Sequence, residues 1–236
     1  TYDCKEITTA SIDLDAIYQQ YCTEVVEAEL DPETLEVTES KVGYRFDLEA
    51  AKTALATAKP GDVLILTKPL GIGIITTGTK ADMVEKDVMD RIYAQMATLN
   101  KTARDIMVKY SVHSCTDVTG FGFLGHLHEM MDGKHSCRVF ADQVPLMKDV
   151  LHYAEEFYLT AAAQKNRNHV EKFVEFHDIS FAMEEVLFDP QTSGGLLLAV
   201  PSEDAKKMVD EMQKCGLPAA IVGEIVEKSE IEISVV

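Results

Sequence analysis

Two short, unbroken apolar runs, Val-Leu-Ile-Leu at 63–66 and Leu-Leu-Leu-Ala-Val at 196–200, read as buried strands. Each borders a glycine-rich stretch. Residues 69–79 follow the first run, and Asp189-Pro190-Gln191-Thr192-Ser193-Gly194-Gly195 leads into the second. Helical spacing covers 82–110, with a break at Thr98-Leu99-Asn100, and then 119–131, opened by 117–119 and closed near Gly133. Further helices are expected over 146–157, 164–175 and 202–214, the last ending at Gly216. Further strands are expected at 137–141, 220–226 and 231–236. The two element types do not alternate strictly, which predicts an α+β fold rather than a doubly wound sheet.

The chain before this pattern has a different character. Residues 11–30 carry Ile12, Leu14, Ile17, Tyr18, Tyr21 and Val25 at helical spacing, and residues 11–40 hold nine acids with no Lys or Arg. Pro60-Gly61 closes the segment as a turn. The chain therefore divides into an acidic segment, 1–58, an appendage or remnant of a preceding domain, and a main domain, 59–236. No apolar stretch reaches the ~20 residues of a membrane span. The start at Thr1-Tyr2-Asp3-Cys4 lacks both Met and a secretory signal, as expected of a trimmed chain.

Charge and cysteines exclude further classes. A formal net charge of −18 would repel a nucleic-acid backbone over most of the surface, so an anionic ligand would need a divalent cation or a local cluster of donors. The five cysteines (Cys4, Cys22, Cys115, Cys137, Cys215) are scattered and contain no Cys-x-x-Cys pair. That pattern fits buried apolar thiols in a reducing cytoplasm rather than a zinc site or disulfide framework.

Three stretches could carry chemistry. In Thr116-Asp117-Val118-Thr119-Gly120-Phe121-Gly122-Phe123-Leu124-Gly125-His126-Leu127, an acid precedes a helix start, and glycines permit close backbone approach. Asp117 could hold a Mg²⁺-bound phosphate against free helix amides; equally, Asp117 or Thr119 could be a plain N-cap. The Asp189–Gly195 stretch could be an anion-cradling nest or a tight turn. Lys68-Pro69-Leu70-Gly71-Ile72-Gly73 has a Gly-x-Gly after a strand, but neither the dinucleotide fingerprint nor a P-loop. Arg167, beside Lys165 and two asparagines, is the best basic contact for an anion, or else a solvated surface arginine. His126 and His128 show no ligand spacing and read as packed or solvated. Met83, Met89, Met96, Met107, Met130 and Met131 read as core filling.

Together, Thr67–Gly73, Thr116–Leu127, Asn166-Arg167-Asn168 and Leu187–Leu196 resemble the selenophosphate synthetases (selenide, water dikinases), in that family's order and spacing over residues 60–236. The resemblance implies a fold like the carboxy-terminal domain of the aminoimidazole ribonucleotide synthetase superfamily, with a short, divergent or truncated amino-terminal segment. It implies a phosphotransferase that converts ATP, selenide and water to selenophosphate, AMP and phosphate. Mg²⁺ and ATP would be its cofactors, and Asp117 a metal ligand supported by the backbone of Thr119, Gly120 and Gly122. A homodimer with small-molecule substrates is also implied, while the charge and the lack of a long apolar stretch predict neither nucleic acid nor membrane as partner. The family's amino-terminal half supplies a reactive Cys or selenocysteine in a glycine-rich loop, a Lys, two more metal-binding Asp and a Gly-His-Ser segment. Residues 1–58 show none of these clearly. Cys4-Lys5 faintly matches the end of that loop, but Tyr2 stands where the nucleophile belongs, so no catalytic side chain is assigned. A non-catalytic relative or scaffold subunit is the alternative. A sister ATPase acting on a ribonucleotide or thiamine phosphate is disfavoured by the Asp117 and Asp189 strings.

Overall fold

The computed structural model describes residues 58–79 and 84–236, with Asp15, Ala16 and Gln19 of the preceding segment. The chain divides into two units, Thr1–Ala56 and Thr57–Val236. In the first, Asp15, Ala16 and Gln19 are helical and exposed; the rest of the helix expected over 11–30, with Cys4, Lys5 and Cys22, lies outside the described residues.

The second unit runs β1 (Asp62–Leu66), α1 (Ile72–Thr79), α2 (Lys86–Ala97), α3 (Lys101–Met107), β2 (Ser114–Asp117), α4 (Gly122–Met131) and β3 (Ser136–Val139). It continues with α5 (Val150–Glu155), α6 (Ala161–Val170), β4 (Val174–Phe176), α7 (Phe181–Phe188), β5 (Leu196–Pro201), α8 (Ser202–Lys214), β6 (Ala220–Val226) and β7 (Ile233–Val235). The strands form one seven-stranded sheet in the order β2-β5-β1-β6-β3-β7-β4. Pairing is antiparallel from β2 through β3 and parallel for β3–β7 and β7–β4.

The unbroken apolar runs follow from burial on both faces of this sheet. Leu64, Leu66, Leu197 and Ala199 point into the larger core, with Phe123, Leu124, Val186 and Phe188. The alternate residues Ile65, Leu198 and Val200 meet α3 and α8 on the other face, through Ala103, Ile106, Met208 and Met212. Helix α8 shows how locally this is encoded. Ala205, Met208, Val209 and Met212 are its buried stripe, Glu203 and Asp204 occupy its first turn, and Lys214 its last, as the helix dipole favours. Gly216, at φ 81°, turns the chain away.

Helix α8 and strand β6 fall where the sequence predicts them, and the helix expected over 82–110 breaks into α2 and α3 at 98–100. Several other expectations need correction. The helix expected from 119 begins at Gly122, after Phe121, whose side chain makes no cap hydrogen bond. The helix expected over 146–157 shrinks to α5, and that over 164–175 shifts to α6. Elements α1, β2, β4 and α7 have no counterpart in the sequence pattern. Helix α7 buries Ala182, Met183, Glu185, Val186, Leu187 and Phe188, so it lacks the polar face that periodicity detects. The methionine reading holds where the residues are described: Met89 and Met131 are buried, and Met96, Met107 and Met130 pack against the cores.

Candidate functional site

The glycine-rich stretch after β1 is mostly a helix, and its capping comes from far away in sequence. Helix α1 has no acidic first turn of its own. Its leading amides are taken by the Asp189 string instead. Gln191 Oε1 accepts from the amides of Gly71 (3.2 Å) and Ile72 (3.3 Å). Asp189 Oδ2 accepts from Gly73 N at 2.8 Å and from Gln191 Nε2 at 3.0 Å. A helix N-terminus is an anion site, and here the position is filled by an internal carboxyl group. The two strings are thus partners in one buried cap, and neither a phosphate loop nor an open nest forms there. Burial pushes the Asp189 carboxyl up to about 7, against the opposing pull of the Ile74 and Gly73 amides and the Gln191 side chain. Among the described residues its Oδ1 has no hydrogen-bond partner. That atom lies 2.3 Å from where a Cβ at Gly73 would stand, which explains the glycine.

The Asp117 segment runs against the same loop. Asp117 ends β2, an edge strand, opposite Leu196 of β5. Val118 N donates to Gly195 O at 2.8 Å, and Gln191 N donates to Thr119 O at 2.9 Å. Neither Asp117 nor Thr119 caps α4. Thr119 Oγ1 lies 3.2 Å from His126 Nε2, and the Gly122 amide donates to Thr119 O. Gly122 sits at φ 72°, with Phe188 O only 2.6 Å from an added Cβ, so its role in the turn is steric. Gly120 faces open space, and its carbonyl accepts from the buried Asn166 side chain, which also reaches Phe188 O, both at 2.9 Å. The Asp117 side chain is exposed. Among the described residues no hydrogen bond or ion pair engages its carboxylate, unlike the surface acids on α2 and α3, which pair with lysines and arginines.

The chemistry of this donor set limits what it can hold. Among the described residues no three His, Cys, Asp or Glu side chains gather as a metal site. Mg²⁺ is commonly held by one or two carboxylates, with water and substrate phosphates completing the octahedron. A free carboxylate on an open edge fits one such position and no more.

Among the described glycines Gly194 packs hardest. A Cβ there would stand 1.9 Å from Val118 O, a backbone atom that cannot swing away. Gly194→Ala is therefore expected to cost about 3 kcal/mol or more in urea unfolding; a shift within about 0.5 kcal/mol would mean that the two loops are not clamped as described.

The other candidates resolve differently. Arg167 is neither a free anion contact nor a solvated arginine. It pairs with Glu184 at 3.0 Å and Glu185 at 2.7 Å and lies over the Phe188 ring. His126 and His128 are packed: His126 contacts Glu129, and His128 stacks on Phe173 and bonds Glu232. Cys137 is buried, whereas Cys115 and Cys215 are exposed, which corrects the expectation of uniformly buried thiols. Although Cys115 is exposed, desolvation by the atoms packed around its sulfur pushes the thiol up to about 11, with the Asp117 charge adding to it. Lys68 and Asn100 carried no assignment. Both hold the 193–195 loop, and a lysine directly after a buried strand was the available signal.

The family model for the carboxy-terminal domain of AIR synthase related proteins matches residues 59–236, and the chain belongs to that family. Within it, the chain is similar to selenide, water dikinases: 46% identical over 180 residues to that of Agathobacter rectalis, covering 76% of this chain and 53% of the relative. It is 47% identical over 182 residues to that of Treponema denticola, covering 74% and 51%. The chain thus spans about half the length of these relatives. A thiamine-monophosphate kinase from Stenotrophomonas maltophilia shares the fold at TM-score 0.53 and 15% identity, over 83% of this chain and 55% of that one. The Thermus thermophilus protein tt0281 does so at TM-score 0.51 and 20% identity, over 76% and 50%. No helix among the described residues is long and apolar enough to cross a membrane.

Proposed function

We propose that this chain supplies the carboxy-terminal domain, 59–236, of an enzyme that makes selenophosphate from ATP, selenide and water, releasing AMP and phosphate. Residues 1–58 are then the end of a nucleotide-binding half, the assembly is a homodimer, and the setting is the cytoplasm. The observation that carries the reading is the Asp117 carboxylate, exposed and, among the described residues, unpaired beside an open Gly120, on a backbone held at Val118 N, Thr119 O and Gly120 O. Asp117 is one Mg²⁺ ligand, and Thr119 and Gly120 line the approach of the phosphates while Gly122 shapes the turn. The ion, when bound, neutralises phosphate charge, which reconciles an acidic chain with a polyanionic substrate. Because phosphoryl transfer needs positioning and charge neutralisation above all, an exposed carboxylate on a fixed backbone is a sufficient contribution from this half.

The test is anaerobic incubation of the full-length protein with Mg²⁺, ATP and selenide, followed by ³¹P NMR. Selenophosphate and AMP are expected in equal amounts. ATP consumption without selenophosphate would overturn the reading.

A further inference from the structure

Among the described residues Lys68 is a buried cation without a counter-ion. The residue is 3% exposed, and no carboxylate lies within ion-pair distance of it among the described residues. Its Nζ donates to the carbonyls of Thr98 (2.5 Å) and Ser193 (2.8 Å). Burial lowers its pKa. Burying an ammonium is unfavourable unless strong hydrogen bonds compensate, and a methionine of similar length would fill the space without that penalty.

What the charge secures is a strained loop. Ser193 is a non-glycine residue at φ 52°, in the left-handed region that L-residues avoid. Three successive carbonyls of this loop are each held by a different stretch of chain, at 68, 100 and 118. Ser193 O accepts from Lys68 Nζ, Gly194 O from Asn100 Nδ2 at 3.0 Å, and Gly195 O from Val118 N at 2.8 Å. The third of these bonds fixes the residue next to Asp117, and Gln191 N fixes Thr119 from the same loop. Asp117 itself is held only by its backbone, since its side chain has no partner among the described residues.

We propose that Lys68 is a positioning residue for Asp117: its charge-assisted hydrogen bond to Ser193 O locks the 191–195 loop, which in turn fixes the 117–119 backbone and so the direction of the exposed carboxylate. The proposal rests on the reading that Asp117 holds a divalent cation. It does not require Lys68 to touch substrate.

The experiment measures selenide-dependent AMP formation by the full-length enzyme as a function of free Mg²⁺, with thermal melting in parallel, for Lys68→Met, Asn100→Ala and Asp117→Asn. Lys68→Met is expected to raise the half-saturating Mg²⁺ concentration about tenfold or more, while the rate at saturating Mg²⁺ stays within about threefold. Asn100→Ala, which removes the neighbouring bond of the same loop, is expected to raise it roughly threefold. A merely structural role would lower the rate through lost folded protein and leave the half-saturation point unmoved. That result in Lys68→Met overturns the proposal. Should Lys68→Met fail to fold, Asn100→Ala decides in the same way: a shifted Mg²⁺ dependence supports the clamp, and an unshifted one overturns it. Asp117→Asn separates the two ideas. Full activity there sinks the metal reading itself, whereas an inactive Asp117→Asn with an unshifted Lys68→Met sinks only the role of Lys68.

Discussion

Asp117→Ala in the full-length enzyme is expected to lower selenophosphate formation on the order of a thousandfold, with the melting temperature unchanged. Removing a metal ligand forfeits several kcal/mol of charge stabilisation in the transition state, and each ~1.4 kcal/mol is tenfold in rate. The fold should not notice the change. The carboxylate is exposed and engages no partner among the described residues, Asp117 caps no helix, and its strand pairing with Leu196 uses backbone alone. Surface substitutions of this kind stay within about 0.5 kcal/mol. Steady-state rates with a ³¹P or AMP readout, beside a circular-dichroism melt, check both halves. Normal turnover would remove Asp117 from the site, and a large loss of stability would mean that its role is structural.

The second large effect is on stability rather than rate. Asp189→Ala removes the buried acceptor of the Gly73 amide and of the Gln191 side chain. Each buried donor left unpaired costs about 1–3 kcal/mol, so a loss of about 3 kcal/mol or more is expected, roughly 6–12 °C in melting temperature for a domain of this size. Asp189→Asn keeps an acceptor oxygen and should lose far less. The pH dependence follows from the raised carboxyl, about 7 in the fold against an ordinary value near 4. Between these values the folded state binds the proton that the unfolded state has released, so this group's contribution to stability is greatest below about pH 4. It declines as pH rises and is gone above about 7. Urea titrations of Asp189→Asn should lack that downward slope. A slope identical to the unsubstituted protein would show that Asp189 is ionised in the fold throughout.

The cap also explains why three glycine-rich strings that look like phosphate loops do not all behave as such. Helix α1 has a β-branched, glycine-containing sequence of poor intrinsic propensity. It forms because Asp189 and Gln191 satisfy its first amides and because Ile72, Ile74 and Ile75 are buried. An anion entering there would have to displace a buried carboxylate. The exposed Asp117 carboxylate, unpaired among the described residues, lies instead at the end of β2.

Elements with a strong local signature were legible from sequence. The runs at 63–66 and 196–200 announce strands because both faces of β1 and β5 are covered, and α8 announces itself by its 3–4 spacing, acidic first turn and terminal glycine. Elements whose pattern depends on distant neighbours were not. Helix α7 is apolar almost all round, and β2 is a short, polar edge strand, so neither has the periodicity that separates helix from strand. For the site, the residue types at 116–122 and 189–195 singled out both loops. Only the tertiary structure decided that the second loop caps α1 and grips the first, because hydrogen bonds spanning 116 to 125 residues, from Gly73 to Asp189 and from Lys68 to Ser193, leave no trace in local spacing. By the same physics Arg167 passed from candidate anion contact to a partner of Glu184 and Glu185: a sequence displays each charge, but only the fold sets which opposite charge it meets.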